Sequence, residues 1–267
     1  MRPNHIAAIL LRQYYLMRGS VARLLPLFAW VAVDILLWGF ITRYLNSVSR
    51  ATFSFVPLLL GAVLMWDFFS RVMQGVTTSF LEDVWSRNFL NLFATPLTVA
   101  EYVSGLVLTS IVTSTIGLIV MLVLAMTVFG LSYLSFGLIL IPFLLVLFLF
   151  GIALGIAGAA LVLRLGPASE WFIWPIPAMV SPFVGVFYPI ATLPRWMQYI
   201  AHVLPPSYVF EGMRALILHQ PFHAGLLFWG IDLAVFYIFL AAWFFVRVYR
   251  YTVRTGLLAR YSAESAA

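Results

Sequence analysis

The sequence predicts an all-α integral membrane protein with six transmembrane helices, an N-terminal amphipathic interfacial helix and an outer re-entrant helical segment between the last two spans. Hydrophobic residues make up 64% of the 267-residue chain and charged residues only 9%, whereas soluble domains carry about a quarter charged residues. A surface so poor in charge must face lipid. The long apolar stretches also lack the period-two alternation of membrane-spanning strands, which indicates helices.

Six stretches are long enough to cross a bilayer, which takes about 20 apolar residues. Together they predict a transmembrane domain over residues 25–247. The fifth stretch contains Pro175, Pro177 and Pro182, so we expect it to be kinked. The six predicted spans are Leu25–Leu45, Phe55–Phe80, Val99–Phe129, Phe136–Leu163, Trp171–Tyr188 and Ala224–Val246.

A face of small residues marks the fourth predicted span. Gly151, Gly155 and Gly158 recur there at spacings of four and three. Small residues let two helices approach closely in a membrane. We expect this face to pack against another helix of the same protomer.

The arginines predict the orientation of the chain in the cytoplasmic (inner) membrane. If the N-terminus is inside, four of the 15 basic residues (Arg43, Arg50, Arg195 and Arg214) lie outside, Arg71 lies within the second span, and the other ten are inside. Basic residues are enriched on the cytoplasmic side. We therefore expect both termini, including the tail 248–267, to be cytoplasmic, and we read the net charge of +6 as a topology signal and not as nucleic-acid binding.

Several chemistries lack the residues they need. The chain contains no Lys and no Cys, which excludes a conventional P-loop, disulfides and thiolate metal sites. Neither HExxH nor GxSxG occurs. His219 and His223 are four residues apart, but Pro221 lies between them and no motif supplies further ligands. We expect no catalytic residues, no metal site and no cofactor bound by this chain.

The N-terminal 24 residues predict a helix lying along the membrane interface. The pattern mixes apolar Ile6, Ile9, Leu10, Leu16 and Met17 with polar Arg12, Gln13 and Arg18, as in interfacial amphipathic helices. The alternative is a basic flank that only sets topology.

Residues 81–98 form the most polar internal stretch and predict a short cytoplasmic helix that is closed by Thr95-Pro96. Apolar Leu81, Val84, Trp85 and Leu92 alternate there with the polar side chains of Glu82, Asp83, Arg87 and Asn88. A charged helix resting on the membrane is the alternative to a docking surface for a partner.

Residues 188–223 are apolar but interrupted by five prolines. Short helices that dip back into the outer leaflet fit this pattern when protein covers their ends. Phe183, Phe187 and Tyr188 are candidates for an outer hydrophobic gate. Glu211 and Arg214 are three residues apart and can pair on one helix face, either to hold that gate shut or as a local salt bridge.

Four charged residues lie within the predicted spans: Asp34, Asp67, Arg71 and Asp232. Charges in a membrane are costly and seek partners. Asp67 and Arg71 are four residues apart and can pair, with Asp34 at a similar depth. They serve either as structural pairs or as a polar lining for a substrate headgroup, and Asp232 lies nearer the outer end.

The order of these parts resembles the membrane subunit, or permease, of ABC-2 type ABC transporters. The strongest match is residues 181–218, SPFVGVFYPIATLPRWMQYIAHVLPPSYVFEGMRALIL, with an aromatic-Pro step, a Leu-Pro pair, a Pro-rich turn, and then Glu211 and Arg214. A second match is the cytoplasmic stretch FLNLFATPLTVAEY, which ends in a small-Pro step and Glu101.

The resemblance implies a permease subunit of an ATP-driven exporter that works by alternating access. It implies a homodimer or a heterodimer with a second permease, together with two copies of a separate ATP-binding subunit that uses ATP and Mg²⁺. The coupling helix would lie within Leu81–Leu92. Trp85 and Leu92 would anchor it in the ATPase, and Glu82, Asp83 and Arg87 would give register and selectivity.

The substrate that the resemblance implies is an amphiphile such as a drug, a lipid or a glycolipid-like molecule. The Gly-x-x-Trp-Pro-like entry of the polysaccharide exporters is missing from the first span, so export of a polysaccharide or lipid-linked glycan is the alternative. Two alternatives belong to other classes. An ion-coupled secondary transporter would use Asp34 and Asp67, and an intramembrane enzyme would need catalytic groups at membrane depth.

Overall fold

The described part of the chain is almost entirely helical. The computed structural model describes residues 2–19, 21–48, 56–86, 91–92, 94–130, 138–221 and 224–257, and these ranges contain helix and turn but no strand. The helices are α1 (Pro3–Arg18), α2 (Val21–Val48), α3 (Gly61–Trp85), α4 (Val99–Phe129), α5 (Leu140–Leu165), α6 (Glu170–Ile173), α7 (Ile176–Val180), α8 (Arg195–Val203), α9 (Pro205–Ile217) and α10 (Ala224–Arg254). The predicted all-α class is confirmed.

Three helices within the described ranges, α4, α5 and α10, are long and apolar enough to cross a membrane. α4 has the predicted bounds of the third span, and α10 continues eight residues beyond the predicted end of the sixth. α2 and α3 cover most of the first two predicted spans, and a π-helical turn at Val56–Leu60 precedes α3. The count of six spans stays a prediction.

The bounds of α4 follow from its caps. The Thr98 hydroxyl accepts a hydrogen bond from the backbone N–H of Glu101 (3.2 Å), and the Glu101 carboxylate accepts one from the backbone N–H of Thr98 (3.0 Å). This capping box satisfies donors that the first turn leaves unpaired. At the other end Gly130 adopts φ 68°, the left-handed conformation that ends many helices.

The fifth predicted span, Trp171–Tyr188, is not one continuous helix. α6 and α7 are only four and five residues long, and turns follow from residue 181. Pro175, Pro177 and Pro182 have no backbone N–H to donate, so the hydrogen-bond ladder is interrupted repeatedly. The expected kink is therefore a complete break.

α5 lies at the centre of the bundle, packed against both α3 and α10. A Cβ atom on Gly151 would lie 2.9 Å from Val72, and one on Gly155 would lie 2.7 Å from Val76. Only glycine allows α3 and α5 to approach this closely. The predicted use of the small-residue face, packing within the protomer, is confirmed.

The described part of the proline-rich segment, residues 188–221, contains short helices, and its re-entrant position in the outer leaflet stays a prediction. α8 and α9 meet at Leu204, and Pro205 occupies the first position of α9, where its missing N–H costs no intrahelical bond. α9 buries Val209, Phe210 and Met213 and packs against α5 and α10. Its contacts fix the position of the residues around 190.

Candidate functional site

A cavity of about 830 Å³ opens along one side of α3. It lies among α1, α2, α3 and α4, with Trp174 from the broken segment after α5. Its lining residues are Gln13, Met17, Trp30, Asp34, Asp67, Ser70, Arg71, Gln74, Gly75, Thr78, Ser79, Glu82, Trp85, Ser86, Thr113, Ser114 and Trp174. Most of these residues are polar, in a chain whose composition is 64% hydrophobic.

One face of α3 supplies most of this lining. Asp67, Arg71, Gln74, Thr78 and Glu82 follow one another at spacings of three or four residues, so they share one side of the helix. From Asp67 to Glu82 the helix rises about 22 Å. The polar face therefore runs through most of the length of α3.

The opposite face of α3 is apolar and fully buried. Phe69, Val72, Val76 and Phe80 have no exposed surface and pack towards α4 and α5. Burying this face fixes the rotation of the helix, because the polar side chains must then point away from the core. The sequence pattern of α3 thus determines which side the cavity lies on.

The paired charges Asp67 and Arg71 lie near the middle of the described part of α3. Arg71 Nε donates to Asp67 Oδ2 at 2.8 Å, which confirms the predicted pair. A Cβ atom on Gly117 of α4 would lie 3.2 Å from Arg71 Cδ, so glycine gives this arginine its space. Asp34 of α2 lines the same cavity, and the structure therefore brings these three predicted residues together.

Two buried side chains in the cavity wall have polar atoms without a hydrogen-bond partner in the described structure. Gln13 is 1% exposed and donates from Nε2 to the carbonyl of Ser79 (3.4 Å), but its Oε1 has no partner. Ser114 Oγ on α4 also has none, whereas Ser110, one turn earlier, donates to the carbonyl of Val72 at 2.7 Å. Such groups are costly unless something satisfies them.

α1 is held against the end of α3 by a buried carboxylate. Asp83 is 1% exposed, forms an ion pair with Arg12 of α1, and accepts a hydrogen bond from the Tyr102 hydroxyl of α4 at 2.7 Å. One carboxylate therefore joins three helices. Breaking a buried pair of this kind leaves an uncompensated charge.

A second carboxylate ties the start of α1 to the start of α4. Glu101 Oε1 accepts from the backbone N–H of Arg2 at 2.6 Å, and Glu101 Oε2 lies 3.1 Å from His5 Nδ1. Between these two ties, Ile9 packs against Gly105, where a Cβ atom would lie 2.8 Å away. α1 is therefore part of the helical bundle on one face, while Leu11, Tyr14 and Tyr15 are exposed on the other.

The residues predicted for ATPase docking have different surroundings. Trp85 is 51% exposed at the end of α3, Glu82 is half-buried in the cavity wall, and half-buried Leu92 packs against the core. Asp83, which the sequence groups with the docking charges, is instead buried inside the chain. The sequence cannot show this, because its partner Arg12 is 71 residues away. Arg87 lies outside the described residues.

The predicted pair Glu211 and Arg214 holds the turn at residues 183–192. Arg214 donates to Glu211 Oε1 and to the carbonyl of Gly185, both at 2.7 Å. Glu211 Oε1 also accepts from the backbone N–H of Ile190 at 2.8 Å. The pair therefore binds the backbone on both sides of Phe187 and Tyr188, which favours the local, structural interpretation.

The remaining predicted residues are more dispersed. Phe187 stacks on Trp38 of α2 with ring centroids 5.1 Å apart, and Phe183 meets Trp196 edge-on at 6.2 Å. Tyr188 donates from its hydroxyl to the carbonyl of Pro182 at 2.8 Å. Asp232 is exposed on α10 and does not line the cavity.

Sequence reasoning missed much of the cavity wall: Ser70, Gln74, Thr78, Thr113 and Ser114. The signal was present, since the polar residues of α3 repeat at three and four residues from Asp67 onwards. The contributions of α1 and α4 needed the tertiary structure.

Comparison with known families gives one match over most of the chain. The family model described as ABC-2 type transporter matches residues 7–218, from within α1 to the end of α9. No curated protein matched the chain in sequence.

Proposed function

Because this chain belongs to the ABC-2 type transporter family, we propose that it is the transmembrane permease subunit of an ATP-driven exporter. Members of this family are multi-pass membrane subunits that pair with ABC ATP-binding subunits. The observation that carries the proposal is the polar cavity along α3, in a chain that otherwise exposes apolar side chains. A polar cavity among membrane helices is where a transport pathway is expected.

The cavity suits an amphiphile. Asp34, Asp67 and Arg71 supply polar contacts for a headgroup, and tryptophans supply an apolar surface. A volume of about 830 Å³ is within the range of about 300–1,000 Å³ that holds drug-sized ligands. The export substrate in this proposal is a drug-like, lipid-like or glycolipid-like molecule taken from the cytoplasmic side.

Coupling to ATP acts at the connection between α3 and α4. Residues 86–98 join α3 and α4, which both contribute to the cavity wall. Exposed Trp85 is the last residue of α3, directly before this connection. A push from an ATPase on this connection reaches α1 as well, because Asp83 and Glu101 tie α1 to both helix ends. Gln13 and Met17 of α1 line the cavity, so movement of α1 changes access to it.

The proposed assembly follows the family. Two copies of an ATP-binding subunit use ATP and Mg²⁺ beneath a homodimer, or beneath a heterodimer with a second permease. Both termini of the chain lie in the cytoplasm, and the complex lies in the cytoplasmic membrane. The 183–192 turn then faces outward, at the far end of the molecule from Trp85.

The test is affinity purification of the tagged full chain in mild detergent, with mass spectrometry of the proteins that copurify. We expect a P-loop ATPase in roughly stoichiometric amount. Trp85→Ala should reduce its recovery by about tenfold or more, because buried aromatic anchors dominate such interfaces. Trp196→Ala is the matched control, since this tryptophan is similarly exposed but lies on α8.

Two results would overturn the proposal in different ways. Recovery of a folded chain without any ATPase, under several mild conditions, would contradict the exporter and favour an ion-coupled carrier built on Asp34, Asp67 and Arg71. Equal ATPase recovery with Trp85→Ala and Trp196→Ala would contradict the position of the docking surface.

A further inference from the structure

We propose that the cavity along α3 selects organic cations, namely amphiphiles with an ammonium or similar group on an apolar or aromatic body. This inference rests on the proposed function, because it names the substrate class of the same cavity. Three independent features of the lining support it: its charge, its tryptophans and its unpartnered polar atoms.

The cavity is acidic in a basic protein. Among the described residues that line it, Asp34, Asp67 and Glu82 are acidic and Arg71 is basic, so three negative charges face one positive charge in this part of the wall when all are ionised, a net of −2. The whole chain has a formal net charge of +6. A concave site lined by one sign of charge attracts ligands of the opposite sign.

The acidic side chains lie at two depths in the cavity. Asp67 pairs with Arg71 at mid-helix, beside Asp34, whereas Glu82 lies about 22 Å further along α3. Glu82 is therefore placed to attract a cation at the entrance, near Trp85. Asp34 is placed to hold it at depth, where two carboxylates, Asp34 and Asp67, share one arginine, Arg71, among the described lining residues.

Three tryptophans supply the apolar walls. Trp30, Trp85 and Trp174 line the cavity and are 65%, 51% and 41% exposed. Indole faces attract cations by their quadrupole, and they also cover apolar or aromatic groups. Tryptophan next to carboxylates is thus suited to a cation on a hydrophobic body.

The unpartnered polar atoms favour a hydrogen-bond donor. Gln13 Oε1 can only accept, because an amide oxygen carries no hydrogen, and it has no partner although the amide nitrogen donates to Ser79. Ser114 Oγ, also buried, is free to accept. An ammonium group presents N–H donors and a positive charge together, so it satisfies these acceptors and the carboxylates at once.

The test uses two probes of nearly identical shape and opposite charge, tetraphenylphosphonium and tetraphenylborate. Binding to the purified full chain in detergent is measured by equilibrium dialysis, with protein-free micelles subtracted. We expect the phosphonium to bind at least about tenfold more tightly than the borate. The carboxylates of the cavity attract the cation and repel the anion, and even one partly screened charge interaction accounts for this ratio.

Variants locate the site. Asp34→Asn should weaken phosphonium binding by about tenfold, and Glu82→Gln, at the more exposed level, by about threefold. Asp232→Asn is the matched control: it removes the same charge from a helix that does not line the cavity, and it should leave binding unchanged. Glu82→Gln also serves as the second variant if Asp34→Asn fails to fold.

The outcomes separate this inference from the proposed function. Equal binding of the two probes, or an equal loss in the Asp34→Asn and Asp232→Asn variants, would overturn the cation selectivity and leave the copurification of an ATPase unaffected. Binding that depends on Asp34, in a chain that recovers no ATPase, would support the cation site and contradict the exporter.

Discussion

Two acid–arginine pairs at helical spacing lie in different regions of this molecule. Asp67 and Arg71 are joined at 2.8 Å and line the cavity. Glu211 and Arg214 are joined at 2.7 Å and also bind the backbone at Gly185 and Ile190. In sequence the two pairs look alike.

The difference lies in what else each pair contacts. Arg214 and Glu211 bind backbone groups of the 183–192 turn, so the pair holds one backbone conformation. The Asp67–Arg71 pair faces a cavity shared with Asp34 and Glu82. Helical spacing therefore predicts the pairing, while the surroundings indicate the role. The Glu211–Arg214 pair is expected to affect mainly stability, and the Asp67–Arg71 pair mainly binding.

The largest expected effect is the loss of stability in Arg214→Gln. Removing this buried cation leaves Glu211 and the Gly185 carbonyl without it, so we expect a loss of about 3 kcal/mol. Arg71→Gln, at a cavity that water can enter, should cost about 1 kcal/mol. Thermal unfolding in detergent measures both losses of stability. An equal loss in the two variants would contradict the different roles of the two pairs.

The next effect concerns the Arg12–Asp83 ion pair, which joins α1 to the end of α3. Arg12→Gln leaves Asp83 buried without its cation and should cost about 2 kcal/mol, with α1 loosened first. Hydrogen exchange of the α1 amides should then be at least about tenfold faster. Arg18→Gln on the same helix is the control, because Arg18 is exposed. Similar exchange rates in both variants would contradict the claim that the Arg12–Asp83 pair holds α1 in place.

A smaller effect is expected at the 183–192 turn itself. Gly185 has φ 66°, and a Cβ there would lie 2.9 Å from both the Tyr188 carbonyl oxygen and Ile190 Cγ1. Gly185→Ala should therefore cost about 1–2 kcal/mol. Gly225→Ala has open space in α10 and should leave the melting temperature unchanged or slightly higher. No difference between the two variants would mean that the turn tolerates rearrangement.

The sequence predicts the helices better than it predicts the cavity. The bounds of α4 follow from a local capping box and a terminal glycine, both visible in the sequence. The fifth span was harder, because three prolines indicate a kink without showing that the helix breaks. The sequence pattern places Asp83 among the docking charges, whereas its burial depends on Arg12, which is distant in sequence and belongs to another helix.

The smallest effect separates two serines that are one turn apart on α4. Ser110→Ala loses a buried hydrogen bond to the Val72 carbonyl and should cost about 1 kcal/mol, whereas Ser114→Ala removes an unpartnered hydroxyl and should cost almost nothing. Binding should reverse this order: dodecylammonium should bind two- to threefold more weakly to Ser114→Ala only, a change of about 0.5 kcal/mol. A stability loss in Ser114→Ala would contradict its assignment to the cavity.

The central claim, that the polar face of α3 lines a pathway open to the cytoplasm, is tested most directly by cysteine labelling. The chain contains no Cys, so the labelling of each single-cysteine variant can be measured without a signal from native cysteines. In inside-out vesicles, a membrane-impermeant thiosulfonate should label Gln74→Cys and Thr78→Cys on the cavity face. It should leave Val72→Cys and Val76→Cys on the buried face unmodified. Labelling of both faces alike, or of neither, would contradict the account.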